Sequence, residues 1–156
     1  LPCPVLLNGS VDTPHDALRL REETGVHGIM IGRSAIRNPW IFRQIRELQA
    51  GLKIFRPKMG DLHGYVEDLY RSLDKPNIEE TRLVARMKKF LNYVGLSVDC
   101  EGSFLYAMRR AKTRSELFTI CHEYMTKPEI VNENFSLEPF DGLTRPKVKK
   151  CLGGSS

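Results

Sequence analysis

Two short segments about twenty residues apart end in residue types that can hold an anion: Pro4-Val5-Leu6-Leu7-Asn8-Gly9-Ser10 and Gly28-Ile29-Met30-Ile31-Gly32-Arg33. Each is a brief apolar run that stops abruptly in small or polar residues. A Gly directly after a strand lets backbone N–H groups approach a phosphate, and Arg33 adds a planar fork of charged donors beside it. The pair reads as a phosphate cradle.

A second group of chemistry-bearing residues lies further along. Over residues 77–94, Leu83, Val84, Met87, Phe90, Leu91 and Val94 fall on one side of a helix that turns about 100° per residue, while Arg82, Arg86, Lys89 and Tyr93 fall on the other. Between residues 77 and 115, eight Lys or Arg stand against four Asp or Glu, an excess of four in a chain of net charge +5. Arg109, Arg110, Lys112 and Arg114 cluster where one helix gives way to the next. Such a face suits a nucleic-acid backbone, although a solvated helix surface accounts for the same charges.

The remaining reactive residues form no constellation. Cys121-His122 has no further ligand at metal spacing, so no metal is expected, and His15, His27 and His63 stand alone. Cys3, Cys100, Cys121 and Cys151 are far apart without a C-x-x-C pair, which argues against a disulfide framework and for reduced thiols in an intracellular compartment. No apolar run approaches the ~20 residues needed to span a bilayer, so no membrane partner is expected.

The elements that must position these residues follow from local punctuation. A strand at 4–8, a helix opened by Thr13, Pro14 and Asp16 and closed by Gly25, and a strand at 28–32 make a βαβ unit. Its loops fall at the carboxyl ends of the strands, where parallel α/β folds bind ligands. Asn38-Pro39 opens a helix carrying Trp40, Ile41, Phe42, Ile45 and Leu48 that ends near Gly51, and Phe55-Arg56-Pro57 reads as linker. Four helices follow: 59–73; 77–94, opened by an Asn77–Glu80 capping box and closed by Gly95; one holding Phe104, Leu105, Met108 and Ala111; and one opened by the Thr113–Glu116 capping box. Beyond Thr126 no period is sustained, and a flexible tail is expected.

Parallel sheets are buried on both faces and need several strands, so the two strands are expected to be the last of a larger sheet. The sequence from Pro4 to Gly9, Thr24-Gly25-Val26, Ile29 to Arg33 and above all Asn38-Pro39-Trp40-Ile41-Phe42 resembles the final part of the tRNA-dihydrouridine synthases. The resemblance covers residues 4–45 strongly and weakens to about 125. It implies the fold class α/β then all-α: the C-terminal two βα units of a TIM (β/α)8 barrel at 1–52, a small helical tRNA-binding bundle at 58–125, and the tail at 126–156.

Carried over residue by residue, the resemblance gives Asn8, Gly9, Ser10, Gly32 and Arg33 to the phosphate end of FMN. Ser10 departs from the family's usual Asp, which a backbone N–H contact tolerates, and Arg37 stands where a Gly often precedes Asn-Pro-Trp. Arg82, Arg86, Lys88, Lys89, Tyr93, Arg109 and Arg110 become candidate tRNA contacts. Here Met87-Lys88-Lys89 replaces the Arg-Lys-His run of many bacterial members, and only Lys88 and Tyr93 match. Trp40 and Phe42 read as packing between barrel and helical domain.

The implied reaction reduces the C5=C6 bond of a tRNA uridine, with FMN as cofactor, NADPH as reductant and a loop cysteine protonating C5. No part of this chain matches that cysteine's motif, so no catalytic residue is assigned and the chain alone is expected to be inactive. A monomer in the cytoplasm or an organelle is expected. The alternatives are a non-catalytic RNA-binding module and another FMN barrel, such as a dihydroorotate dehydrogenase-like enzyme.

Apolar side chains left without neighbours forfeit roughly 1.5–3 kcal/mol each, against a net domain stability of only ~5–15 kcal/mol. The 156-residue chain is therefore expected to bind FMN weakly at best, as a flavin fluorescence titration would show; tight binding would contradict the reading.

Overall fold

The computed structural model describes residues 3–9 and 11–138. In chain order its elements are β1 (Leu6–Asn8), α1 (Pro14–Thr24), β2 (Gly28–Met30), α2 (Arg33–Arg37), α3 (Ile41–Gln49), α4 (Met59–Leu73), α5 (Glu80–Val98), α6 (Ser103–Arg110) and α7 (Arg114–Met125). A small parallel sheet is thus followed by helices alone. The chain divides into two units between Phe55 and Arg56.

In the first unit, β1 and β2 pair in parallel with Leu6 opposite Gly28, Leu7 opposite Ile29 and Asn8 opposite Met30. Both strands are shorter than their apolar runs suggest. His27 fixes their entry: its N–H donates to the Val5 carbonyl at 3.0 Å, and its Nδ1 accepts from the Val5 N–H at 3.1 Å. The crossover that such a parallel pair requires is supplied by α1, which packs on β2 and α3. Its capping follows the sequence: Thr13 Oγ1 accepts from the Asp16 N–H, and the Asp16 carboxylate accepts from the Thr13 N–H. The Thr13 hydroxyl is also the main reason the Asp16 carboxyl titrates below its usual value. Gly25, at φ 64°, ends the helix in the left-handed conformation that favours glycine.

Three readings of this unit change. A five-residue helix, α2, begins immediately after Gly32, and Asn38-Pro39 forms the turn between α2 and α3, with α3 starting at Ile41. Phe55 is docked: the Arg43 guanidinium lies 4.0 Å above its ring, and its N–H donates to Glu47 Oε2 at 2.6 Å. The Trp40 ring meets Phe55 at 6.0 Å, whereas Phe42 is 47% exposed.

The second unit is a helical bundle in which α4 and α5 each pack on α7, α4 packs on α5, and α6 packs on α5 and α7. Leu62, Val66, Leu83, Met87, Leu91, Phe104, Leu105, Met108, Leu117 and Met125 form its core. Here α5 starts at Glu80, because Asn77 takes a left-handed φ of 72° and Glu80 Oε1 accepts from the Arg114 N–H at 2.6 Å. No Asn77–Glu80 capping box forms. Nor does Gly95 end α5. It sits inside the helix against Leu105, where a Cβ would overlap that side chain. The sequence signal for a C-cap was a close helix approach instead.

Part of the expected tail is structure. Carbonyls of Val131 and Glu133 accept from the Gly60 and Met59 N–H groups, both at 3.0 Å, and the Phe135 N–H donates to Pro57 O at 2.9 Å. Two of the first-turn donors that any helix leaves open are thereby satisfied, and Phe135 is buried. Residues 139–156 of the tail lie outside the described residues. Among the described residues, Cys3 and Cys121 are free cysteines.

Because Gly95 and Leu105 are both buried, Gly95→Ala is expected to destabilise the second unit by about 1–3 kcal/mol through overpacking, measured as a lower urea midpoint. An unchanged midpoint would show that Leu105 can turn away at no cost.

Candidate phosphate edge and cationic arc

Parallel register decides where the two glycine loops go. Since Asn8 pairs with Met30, the chain leaves both strands on the same side, and Asn8-Gly9 and Gly32-Arg33 emerge at one carboxyl edge. Asn8, Gly9, Gly32 and Arg33 are all exposed. A Cβ at Gly9 would meet nothing within 4 Å, so its small size serves no packing contact. Open backbone and a cation on one edge fit a phosphate group. Ser10, the remaining residue of the predicted cradle, lies outside the described residues.

What holds the two loops together was not apparent from the sequence. Asp12, just past the first loop, accepts from the Ser34 hydroxyl through Oδ1 at 2.5 Å, and its carbonyl accepts from Arg37 Nη2 at 3.2 Å. Ser34 and Arg37 are both buried members of α2, which starts directly after the second loop. A guanidinium in an apolar stretch must find acceptors, and that was the available signal. Arg37 is the residue that makes this tie. A second buried relay fixes the turn after it: Asn38 Nδ2 donates to Gln44 Oε1 at 2.7 Å, and Gln44 Nε2 donates to Phe55 O at 2.8 Å.

On the second unit, Arg82, Arg86 and Lys89 are exposed along one side of α5, with Tyr93 half-buried in the same stripe. Lys88 is differently placed. Its Nζ donates to the Arg109 carbonyl at 3.0 Å, near the carboxyl end of α6, and Arg109 Nε donates to Asn92 Oδ1 at 2.9 Å. These two bonds join α5 to the carboxyl end of α6. Arg110 lies over the exposed Tyr106 ring at 5.4 Å. Glu116 reaches back to the Lys112 N–H at 2.6 Å, and this bond, ahead of its other partners, lowers its pKa.

Cys121 is buried, and burial pushes its thiol up to about 12, so it stays protonated and unreactive at neutral pH. Among the described residues, no group of three or more His, Cys, Asp or Glu could hold a metal ion, and no helix is long and apolar enough to cross a membrane.

Comparison with known proteins bears on this geometry. The family model described as "Dihydrouridine synthase (Dus)" matches residues 1–127. The tRNA-dihydrouridine synthase B of Xanthomonas campestris is 28% identical over 129 residues, which cover 80% of this chain and 37% of that protein. Its counterpart in Pseudomonas aeruginosa is 50% identical over 42 residues, 27% of this chain and 13% of the relative. A probable tRNA-dihydrouridine synthase of Aquifex aeolicus is 42% identical over 53 residues, covering 32% and 17%. The chain spans at most 37% of the length of the first two relatives it matches. With a family match running from residue 1 through both glycine loops and all four bundle helices, the chain belongs to the dihydrouridine synthase family.

Proposed function

We propose that this chain supplies the C-terminal portion of an FMN-dependent tRNA-dihydrouridine synthase, with β1 and β2 as the last two strands of its (β/α)8 barrel and α4–α7 as its tRNA-binding domain. The observation that carries the reading is the shared carboxyl edge of β1 and β2. This is where such barrels commonly bind phosphate. Asn8, Gly9, Ser10, Gly32 and Arg33 would hold the phosphate of FMN, with backbone N–H groups and the Arg33 guanidinium as donors.

FMN held there would supply the hydride chemistry for reducing a uridine C5=C6 bond, with NADPH as the reductant. The chain's own residues bind and orient. The Asp12–Ser34–Arg37 tie sets the spacing of the two loops, and open backbone at Gly9 leaves room for phosphate oxygens. No residue of the chain matches the cysteine that would protonate C5, so proton delivery falls to another part of the enzyme and this chain alone is inactive. A monomer in the cytoplasm or an organelle fits this assignment.

The tRNA-binding face is the arc formed by Arg82, Arg86, Lys88, Lys89, Tyr93, Arg109 and Arg110. A second reading, a non-catalytic RNA-binding module, draws on the second unit's own buried core, in contrast to the first unit, where Val5, just before β1, and Leu6, on it, are 52% and 69% exposed.

Replacing Arg86, Lys88 and Lys89 by Ala tests the arc. Tightness for a tRNA transcript is expected to fall, and the slope of log affinity against log salt to shrink by about 0.7–0.9 per lost phosphate contact. Lys88→Ala alone should change the slope least, since its ammonium already rests on the Arg109 carbonyl. Affinity and slope both unchanged in the triple variant would contradict the assignment.

A further inference from the structure

Between α4 and α7 lies a groove of about 530 Å³ lined by Glu67, Tyr70, Arg71, Arg114, Ser115 and Phe118. Nothing in the reading above uses it. Its floor is aromatic: the Tyr70 and Phe118 rings meet edge to face at 5.2 Å and 79°. The Arg114 guanidinium lies over both, 4.9 Å from the Tyr70 centroid and 5.6 Å from that of Phe118. Tyr70 is buried, whereas Phe118 is half-buried and keeps part of its ring open. The walls are polar. Arg71 pairs with Asp68 at 2.9 Å and with Glu67 at 3.4 Å, and Ser115, in the first turn of α7, also lines the groove.

Arg114, at the groove, lies four residues along the chain from Arg110 of the cationic arc. Glu80, at the start of α5, takes the Arg114 N–H at 2.6 Å, two residues before Arg82. From Arg114 the chain runs back through Lys112 to Arg110 and Arg109, and Arg109 is tied to Lys88 and Asn92. An RNA backbone lying along the arc therefore reaches the groove at one end. Size and chemistry then narrow the occupant. The volume falls within the roughly 300–1,000 Å³ of small-ligand pockets, and an aromatic floor beneath a guanidinium is what single-stranded nucleic-acid sites use to stack a base. Bases within an A-form duplex are not open to such a floor, so the base must be unpaired.

We propose that this groove docks one unpaired nucleobase of the RNA bound along the arc, stacked on the open part of the Phe118 ring beside the Arg114 guanidinium. The proposal rests on the RNA-binding reading and adds to it a contact that reads base exposure rather than charge. It assigns to the second unit a preference for RNA with a looped-out or single-stranded nucleotide over fully paired RNA.

The test uses the full chain, a tRNA transcript and a fully paired RNA duplex. Phe118→Ala should weaken tRNA binding about tenfold with the salt slope unchanged, and should leave duplex binding alone. Phe118→Trp should retain affinity, and its added emission should be quenched when tRNA binds. Should Phe118→Ala lose its helical circular dichroism, Phe118→Leu, which keeps the apolar volume, carries the same expectation. Wild-type tRNA affinity in Phe118→Leu together with unquenched Phe118→Trp overturns the groove assignment while leaving the arc standing. Failure of the unaltered chain to bind tRNA at low salt removes the RNA reading and the groove with it.

Discussion

The first unit depends on where one buried guanidinium finds its acceptors. Arg37 is fully buried, and a charge in that position is tolerable only when hydrogen-bonded. Its bond to the Asp12 carbonyl, with Ser34 on the Asp12 carboxylate, ties the loop after β1 to the helix that starts after β2. Hydrogen bonds to a charged group are worth about 1.5–3 kcal/mol, against well under half that for an exposed ion pair. The tie therefore outweighs surface pairs such as Arg19–Asp16 in fixing this end of the sheet. Both glycines of the candidate cradle inherit their spacing from it.

A different constraint organises the second unit. Three helix termini there are closed by a partner from elsewhere in the sequence: residues 131 and 133 for the start of α4, Glu80 for the start of α7, and Lys88 for the end of α6. These long-range bonds place basic residues of α5, α6 and α7 side by side. Lys88, one of the candidate tRNA contacts, thus acts mainly as a brace, while Arg82, Arg86 and Lys89 are left facing solvent.

Much of the architecture was legible in the sequence because it is written in local chemistry. The Thr13–Asp16 cap, Gly25 at positive φ and the apolar side of α5 depend on residues within one or two turns of each other. What was missed is non-local. Glu80 looked like a partner for Asn77, three residues away, but serves Arg114, thirty-four residues on. Gly95 looked like a stop signal because glycine usually ends helices, and only the approach of Leu105 explains it. The turn at Lys127–Phe135 lacks any period, yet it packs because its carbonyls meet the open amides of α4. At the candidate phosphate edge, the placement of Gly9, Gly32 and Arg33 beyond the strand ends was legible from position, whereas Asp12, Ser34 and Arg37 act through contacts across more than twenty residues.

The central claim is that the two strand-end loops form one edge that recognises the phosphate of a flavin nucleotide. Amide chemical shifts of the ¹⁵N-labelled chain, titrated with millimolar FMN and separately with riboflavin, test it most directly, because the two ligands differ only in that phosphate. The account predicts that FMN shifts the amides of Asn8, Gly9, Gly32 and Arg33 and that riboflavin does not; equal shifts with both, or no phosphate-dependent shift at these residues, would contradict it.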